Sequence, residues 1–260
     1  MLLLIDIGNT HTHVGLADHR KIIPANFPTS AWLRGEMMGA LSRFLAGRQV
    51  NRVAMCSVVP EATSRAVRDV RRAWKVRPFE FNYKTVRGIG IEYPKPATIG
   101  ADRLANAVAA RARFGAPVVV VDFGTAVTFD VVNRHGDYVG GIIAPGLAAM
   151  TSYLHEKTAL LPQIEIREVS AVIGKSTEQA MLIGAVHGYR GLIRELIQEL
   201  KVELNCRRLP VVATGGYARL IASKLPEITA VDPLLTLKGL RLTWESNQNL
   251  NTKHQTPNTK

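Results

Sequence analysis

The chain has 260 residues, 47% hydrophobic and 21% charged, with 21 Gly and 13 Pro. That is enough for one large domain or two modest ones, and it excludes a disordered tail protein, a collagen-like repeat and a small disulfide scaffold. The 33 Lys and Arg against 21 Asp and Glu leave a net charge of +12, which attracts polyanions without saying which.

In chain order, the apolar run 2–5 ends in Asp6-Ile7-Gly8-Asn9-Thr10, and a second apolar stretch covers 12–17. This predicts strand, tight turn, strand. The run stops at Asp6 with no basic residues before it, so it is neither a signal peptide nor a membrane span, and a cytoplasmic location is expected. A helix over 31–46, a β-rich run over 52–59 and a basic helix over 62–75 follow. A Gly- and Pro-rich loop covers 87–100, and Asp102 begins an Ala-, Leu- and Arg-rich helix running to about Phe114. Cys56 and Cys206 lie outside any CxxC pattern and read as free thiols of a reducing compartment.

At Val118 the opening recurs. Val118-Val119-Val120-Val121-Asp122-Phe123-Gly124-Thr125-Ala126 repeats the first pattern, with Asp6 matched by Asp122 and Gly8 by Gly124, at an offset of 116 residues. An apolar strand ending in Asp-x-Gly, seen twice at half the chain's length, predicts a duplicated α/β domain. A strand over 138–143, the turn Ala144-Pro145-Gly146 and a helix to about His155 come next. Thr177 is expected to cap one long amphipathic helix containing Leu182, Val186, Tyr189, Ile193, Ile197 and Leu200. A strand over 209–213 runs into Thr214-Gly215-Gly216. The expected organisation is one domain over 1–115, a second over 116–244 and a disordered polar tail over 245–260.

A strand that ends in Asp and then Gly-Asn-Thr brings a carboxylate able to hold hydrated Mg²⁺, a glycine that admits an anion, and hydrogen-bond donors for phosphate oxygens. Taken singly, such a turn is better read as plain hairpin geometry; the pair shifts the reading towards a nucleotide clamp. Thr214-Gly215-Gly216 suits either a flat purine or helix-on-strand packing. In Gly100-Ala101-Asp102-Arg103, Asp102 is either a helix cap or the base for an attacking hydroxyl, and Arg103 either a carboxylate ligand or a surface charge. Three decoys fail. Gly174-Lys175-Ser176 lacks a Walker glycine at Val169, Gly88-Ile89-Gly90 has Tyr93 where a dinucleotide fingerprint needs glycine, and His11 with His13 has no third metal ligand.

Together these motifs resemble the type III pantothenate kinases, bacterial enzymes of the acetate kinase, sugar kinase, Hsp70 and actin superfamily. The resemblance spans about residues 1–243. It rests on Asp6-x-Gly8-Asn9-Thr10, Tyr93-Pro94 with Gly100-Ala101-Asp102-Arg103, and Asp122-x-Gly124-Thr125-Ala126. Gly140-Gly141-x-x-x-Pro145-Gly146, Gly174-Lys175-Ser176-Thr177, Thr214-Gly215-Gly216 and Leu235-Thr236-Leu237-Lys238-Gly239-Leu240 complete it.

The resemblance implies an α/β fold of two duplicated ribonuclease H-like (actin-like ATPase) domains with a nucleotide cleft between them, and a homodimer. It implies transfer of the ATP γ-phosphate to the primary hydroxyl of pantothenate, giving 4′-phosphopantothenate, the first step of coenzyme A biosynthesis. Asp6, Ile7, Gly8, Asn9, Thr10, His11, Thr12 and His13 would form the first phosphate loop, and Thr125 would also touch ATP. Asp122 would help hold a monovalent cation, K⁺ or NH₄⁺, required besides Mg²⁺. Asp102 would be the proton acceptor, while Tyr93, Gly100, Ala101, Asp102, Arg103 and Thr177 would bind pantothenate. Two alternatives are a nucleotide-binding regulatory protein of the same fold that lost phosphotransfer, and a sugar or acetate kinase. No membrane partner is expected, and without a helix-turn-helix or a basic-aromatic stripe the sequence argues against a nucleic-acid partner.

Overall fold

The computed structural model describes residues 1–253, the side chains of 251–253 excepted. The chain divides into two compact units: Met1–Arg113 together with the C-terminal stretch from Leu234, and Phe114–Pro233.

The first unit is built on a five-stranded sheet, β1 (Leu2–Ile7), β2 (His11–Ala17), β3 (Ile22–Pro28), β4 (Arg52–Ser57) and β5 (Phe79–Glu80), in the order β3-β2-β1-β4-β5. β1 and β2 pair antiparallel, as do β2 and β3, whereas β4 runs parallel to β1 and β5 parallel to β4. β3 carries Pro24 and Pro28, which mask it as a strand in the sequence, and it lies at the sheet's edge, where a missing N–H is tolerated. The helix expected over 31–46 is two, α1 (Ser30–Leu33) and α2 (Met37–Leu45), broken at Gly35, which has φ +73°.

α3 (Pro60–Trp74) returns after β4 and buries Ala62, Ala66 and Val70 in a core with Leu3, Ile5, Ile7, Leu16, Trp32 and Leu41. After a two-residue strand, β6 (Gly90–Ile91), α4 (Ala101–Phe114) buries every residue from Leu104 to Ala110.

The second unit repeats this plan. β7 (Val118–Phe123), β8 (Ala126–Val132) and β9 (Asp137–Pro145) form an antiparallel meander. β10 (Val211–Thr214) adds parallel to β7, and β11 (Ala230–Val231) parallel to β10. The order and directions of these five strands match those of the first sheet, so the duplication read from Asp6 and Asp122 is a duplication of fold. Around the sheet lie α5 (Leu147–Lys157), α6 (Thr177–Ile183), α7 (Tyr189–Glu203) and α8 (Ala218–Ala222). Val119, Val121, Phe129, Ile193 and Ile197 are completely buried there.

The long helix expected after Thr177 is interrupted by a π-helical turn at Gly184–Gly188, where two glycines weaken the regular ladder. Its cap is Ser176 rather than Thr177: Ser176 Oγ accepts from the Gln179 N–H at 3.2 Å, and Gln179 Oε1 accepts from the Lys175 N–H at 2.7 Å.

α9 (Leu235–Lys253) packs against β1, β2 and β4 and counts with the first unit, whereas the sequence pattern places 116–244 in the second. Gly239 explains why: a Cβ there would overlap the Ala105 carbonyl of α4, so the two helices cross at backbone contact. Thr236 Oγ1 donates to Asn106 Oδ1 at 2.8 Å in the same crossing. The polar tail expected from 245 is helical through Lys253, because Glu245 pairs with Arg241 and Asn247 donates to the Thr85 carbonyl. The remainder of that expected tail, 254–260, lies outside the described residues.

Candidate active site

Two clusters emerge from the predicted residues, one in each unit. In the first, the strand ends at Asp6 and Ile7, and Gly8 N–H closes the hairpin on the His11 carbonyl at 3.0 Å. Asn9, Thr10 and His11 are exposed around the bend, and Thr12 is fully buried beneath it. Thr12 Oγ1 meets Thr29 Oγ1 at 3.1 Å, Thr29 Oγ1 donates to the Gly8 carbonyl at 2.7 Å, and Thr29 N–H donates to the Thr10 carbonyl at 2.9 Å.

Thr29 therefore fixes the loop at three points. The sequence alone does not reveal it, because it stands 21 residues beyond Gly8, in no motif, and only the β2–β3 pairing brings it there. His13 Nδ1 is hydrogen-bonded to Asn26 Oδ1 at 2.7 Å, and no cluster of three His, Cys, Asp or Glu able to hold a metal occurs among the described residues.

The β1–β4 register sets Cys56 beside Asp6. The buried thiol donates to Asp6 Oδ1 at 3.3 Å, and burial together with the nearby Asp6 and Asp102 carboxylates raises its pKa well above the usual thiol range. Cys56 is thus a neutral donor between two acids rather than a thiolate.

Asp102 lies in the first turn of α4, where the helix N-terminus favours negative charge. Its Oδ1 accepts from the Arg103 N–H at 2.8 Å. Gly100 permits that fold-back, since a Cβ at Gly100 would stand 2.5 Å from the same oxygen. Burial nevertheless raises the Asp102 pKa from the ordinary carboxylate value, outweighing the helix N–H bond and the Arg103 charge. An open cavity of about 470 Å³ begins beside this helix start, lined by Ser57, Phe81, Tyr83, Lys84, Gly100 and Ala101. Tyr93 is exposed on the loop before it.

In the second unit, Asp122 occupies in β7 the place of Asp6 in β1, and the Gly124 N–H closes the hairpin on the Ala126 carbonyl at 3.1 Å. Two glycines make room around it. A Cβ at Gly146 would overlap the Thr125 carbonyl, and one at Gly215 (φ +90°) would come within 2.6 Å of Asp122 Oδ1. Gly146 thus packs against the Gly124 and Thr125 carbonyls, and Gly215 against the Asp122 carboxylate and the Phe123 backbone. Tyr189 Oη donates to the Pro145 carbonyl at 3.1 Å and steadies the end of β9 beside Gly146. Thr177 is exposed at the first turn of α6.

The paired mixed sheets, each with an acidic hairpin, define an α/β protein of the duplicated ribonuclease H-like class. Solved structures share this fold at low identity. They include a Baf family protein from Campylobacter jejuni, provisionally named a transcriptional activator, at 19% identity and TM-score 0.57 over 95% of this chain and 99% of that one. A provisionally named 2-dehydro-3-deoxygalactonokinase from Sinorhizobium meliloti also has TM-score 0.57, at 11% identity over 95% and 99%.

The chain belongs to the type III pantothenate kinase family, whose members are ATP-dependent kinases: that family's model matches residues 2–199. A type III pantothenate kinase of Akkermansia muciniphila is 49% identical over 92% of this chain and 96% of its own length. One from Methylacidiphilum infernorum is 44% identical over 94% and 88%.

Proposed function

We propose that this chain transfers the γ-phosphate of ATP to the primary hydroxyl of pantothenate, with Asp102 as the general base. The observation that carries the proposal is the state of Asp102. Its carboxylate is half-buried and raised in pKa by desolvation, at a helix start where the two residues before it, Gly100 and Ala101, line an open cavity. Phosphoryl transfer depends mainly on position and charge neutralisation, so a carboxylate of modest basicity suffices. Asp102 takes the hydroxyl proton as the oxygen attacks the γ-phosphorus. The bond from phosphorus to the β–γ bridging oxygen breaks, the electron pair leaves with ADP, and the proton remains on Asp102 until solvent removes it.

In this reading Asp6 to His13 form the phosphate loop, with the backbone N–H groups of the bend as donors and Thr29 holding its shape. Thr125 adds a contact to ATP. Tyr93, Gly100, Ala101, Arg103 and Thr177 bind pantothenate, Arg103 suiting its carboxylate. Mg²⁺ bound with ATP neutralises phosphate charge.

Asp122 at the end of β7 and the Gly124 and Thr125 carbonyls of the same hairpin are oxygen donors, a chemistry that fits a hard monovalent cation such as K⁺ or NH₄⁺. A homodimer is part of the proposal. It is supported by exposed apolar side chains within 143–173, including Ile143, Tyr153, Leu160, Val172 and Ile173. No described helix is long and apolar enough to cross a membrane.

The test is ADP release with pantothenate and with a panel of sugars, each in K⁺ and in Na⁺. The proposal expects turnover with pantothenate alone, faster in K⁺. Turnover with a sugar but not with pantothenate would overturn it, and equal rates in the two salts would remove the cation site at Asp122.

A further inference from the structure

The excess positive charge is concentrated in one unit. Residues 1–113 carry 18 Lys and Arg against 8 Asp and Glu, whereas 114–233 carry 11 against 12. Within the first unit the excess narrows further: from Arg43 to Arg77 there are nine basic residues and two acidic ones.

The fold gathers these charges at the pole away from the phosphate hairpin. β1 and β4 are parallel and in register, so Arg52 pairs with Leu2 while Cys56 pairs with Asp6. Four residues of strand place Arg52 ~13 Å from the Asp6 end. α3 leaves that end at Pro60 and delivers Arg71, Arg72, Lys75 and Arg77 to the far pole. Arg43, Arg52, Arg68, Arg71, Arg72, Lys75 and Arg77 are all exposed, and none forms a salt bridge among the described residues.

This pole is grooved. Cavities of about 600, 530 and 570 Å³ follow one another, the first and second sharing Asn51, the second and third sharing Arg52 and Trp244. Arg48 and Trp74 line the first and Arg77 the last. The Arg52 guanidinium lies 5.4 Å over the Trp244 ring, which leaves its outer face open for stacking. Gln49, Asn51, Asn82 and Thr85 add uncharged donors and acceptors along the walls, and Asp18, Glu80 and Glu245 line them too, Glu245 paired with Arg241 at 2.7 Å.

We propose that this groove binds single-stranded RNA, at a surface separate from the kinase site. Arg48, Arg52 and Arg77, which form no salt bridge among the described residues, match a phosphodiester backbone, guanidinium planes and Trp74 offer stacking for bases, and the amides suit 2′-hydroxyls and base edges. The sequence shows no basic-aromatic stripe because the groove draws on β1, the ends of α2 and α3, the start of β4 and one face of α9. Its members stand next to one another only in the fold.

The test is fluorescence anisotropy of a labelled uridine dodecamer with the full chain, at low and moderate salt, in saturating ATP. Expected is binding that ATP does not displace and that weakens with salt. The Arg48→Glu/Arg77→Glu variant should weaken it at least tenfold and flatten the salt slope by about 0.7 for each arginine–phosphate pair removed. Arg207→Glu/Arg208→Glu, in the second unit, should leave it unchanged, and both variants should keep wild-type kinase turnover, which also reports that they fold.

The proposal is overturned if the dodecamer does not bind at low salt or if ATP displaces it. It is equally overturned if the two variants bind alike, if inorganic polyphosphate competes equally per charge, or if anionic lipid vesicles bind in preference to RNA.

Discussion

The two units share one strand order but use their hairpins differently. In the first, Asp6 is buried, a neutral thiol from the neighbouring strand donates to it, and the loop is tied down by Thr29. In the second, the residue beside Asp122 is Thr214, followed by a glycine in the left-handed region, and Asp122 is only half-buried. A duplicated scaffold thus holds one carboxylate buried beside a thiol donor and the other half-buried against Gly215. What differentiates the halves is the single residue adjacent to each acid and the room that Gly146 and Gly215 leave around the second.

Breaking the packing that sets these environments should have the largest effects. Gly239→Ala forces a methyl group into the Ala105 carbonyl, so α9 and α4 must separate. A loss of about 1–3 kcal/mol is expected in urea unfolding, with lowered turnover because α4 carries Asp102. Arg190→Leu in the second unit removes a nearly buried guanidinium that donates to Glu168, to the Leu220 and Ile221 carbonyls and to Ser223.

The Leu220 and Ile221 carbonyls each lose one donor and Glu168 its charged partner, and about 1–3 kcal/mol of stability should go with them. Glu168 is held below the usual carboxylate range chiefly by its bond to Arg190, so the pair contributes above the ordinary carboxylate pKa and fades as pH falls through the lowered one. The gap between wild type and Arg190→Leu should narrow over that acidic window.

Thr29→Val keeps the shape and removes the hydroxyl. It should cost roughly 1 kcal/mol and raise KM for ATP more than it lowers kcat, while Thr29→Ser restores both. An unchanged KM in Thr29→Val would separate this threonine from the proposed ATP contact of the Asp6–His13 loop. The smallest change concerns the C-terminus. Truncation after Ser246 removes Asn247, which bonds the Thr85 and Thr243 carbonyls, and should lower Tm slightly, whereas truncation after Leu250 should not.

Much of this arrangement is legible in the sequence because it is local. The two Asp-x-Gly turns announce themselves by strand, acid and glycine in succession, and the topology repeats behind them. Thr29, Cys56 and α9 are not legible. Each acts through a partner supplied by another element: Thr29 through the β2–β3 pairing, Cys56 through the β1–β4 register, and Gly239 through a crossing with α4. The polar composition of 245–253 reads as disorder when viewed alone. Its helix is held by Arg241 within the helix and by the Thr85 carbonyl outside it.

The central claim is that Asp102 accepts the substrate proton. It is tested most directly by measuring, on Asp102→Asn, pantothenate phosphorylation, ATP affinity and Tm together. Asparagine keeps the oxygen that accepts from Arg103 but cannot take a proton, so kcat should fall by about 10²–10⁴ with ATP affinity unchanged. A carboxyl whose pKa is raised in the folded state loses stability as pH rises through that interval, so at neutral pH the variant's Tm should equal or exceed the wild type's. Wild-type turnover in Asp102→Asn would contradict the claim outright, and a fall in kcat accompanied by a fall in Tm would assign Asp102 to structure instead.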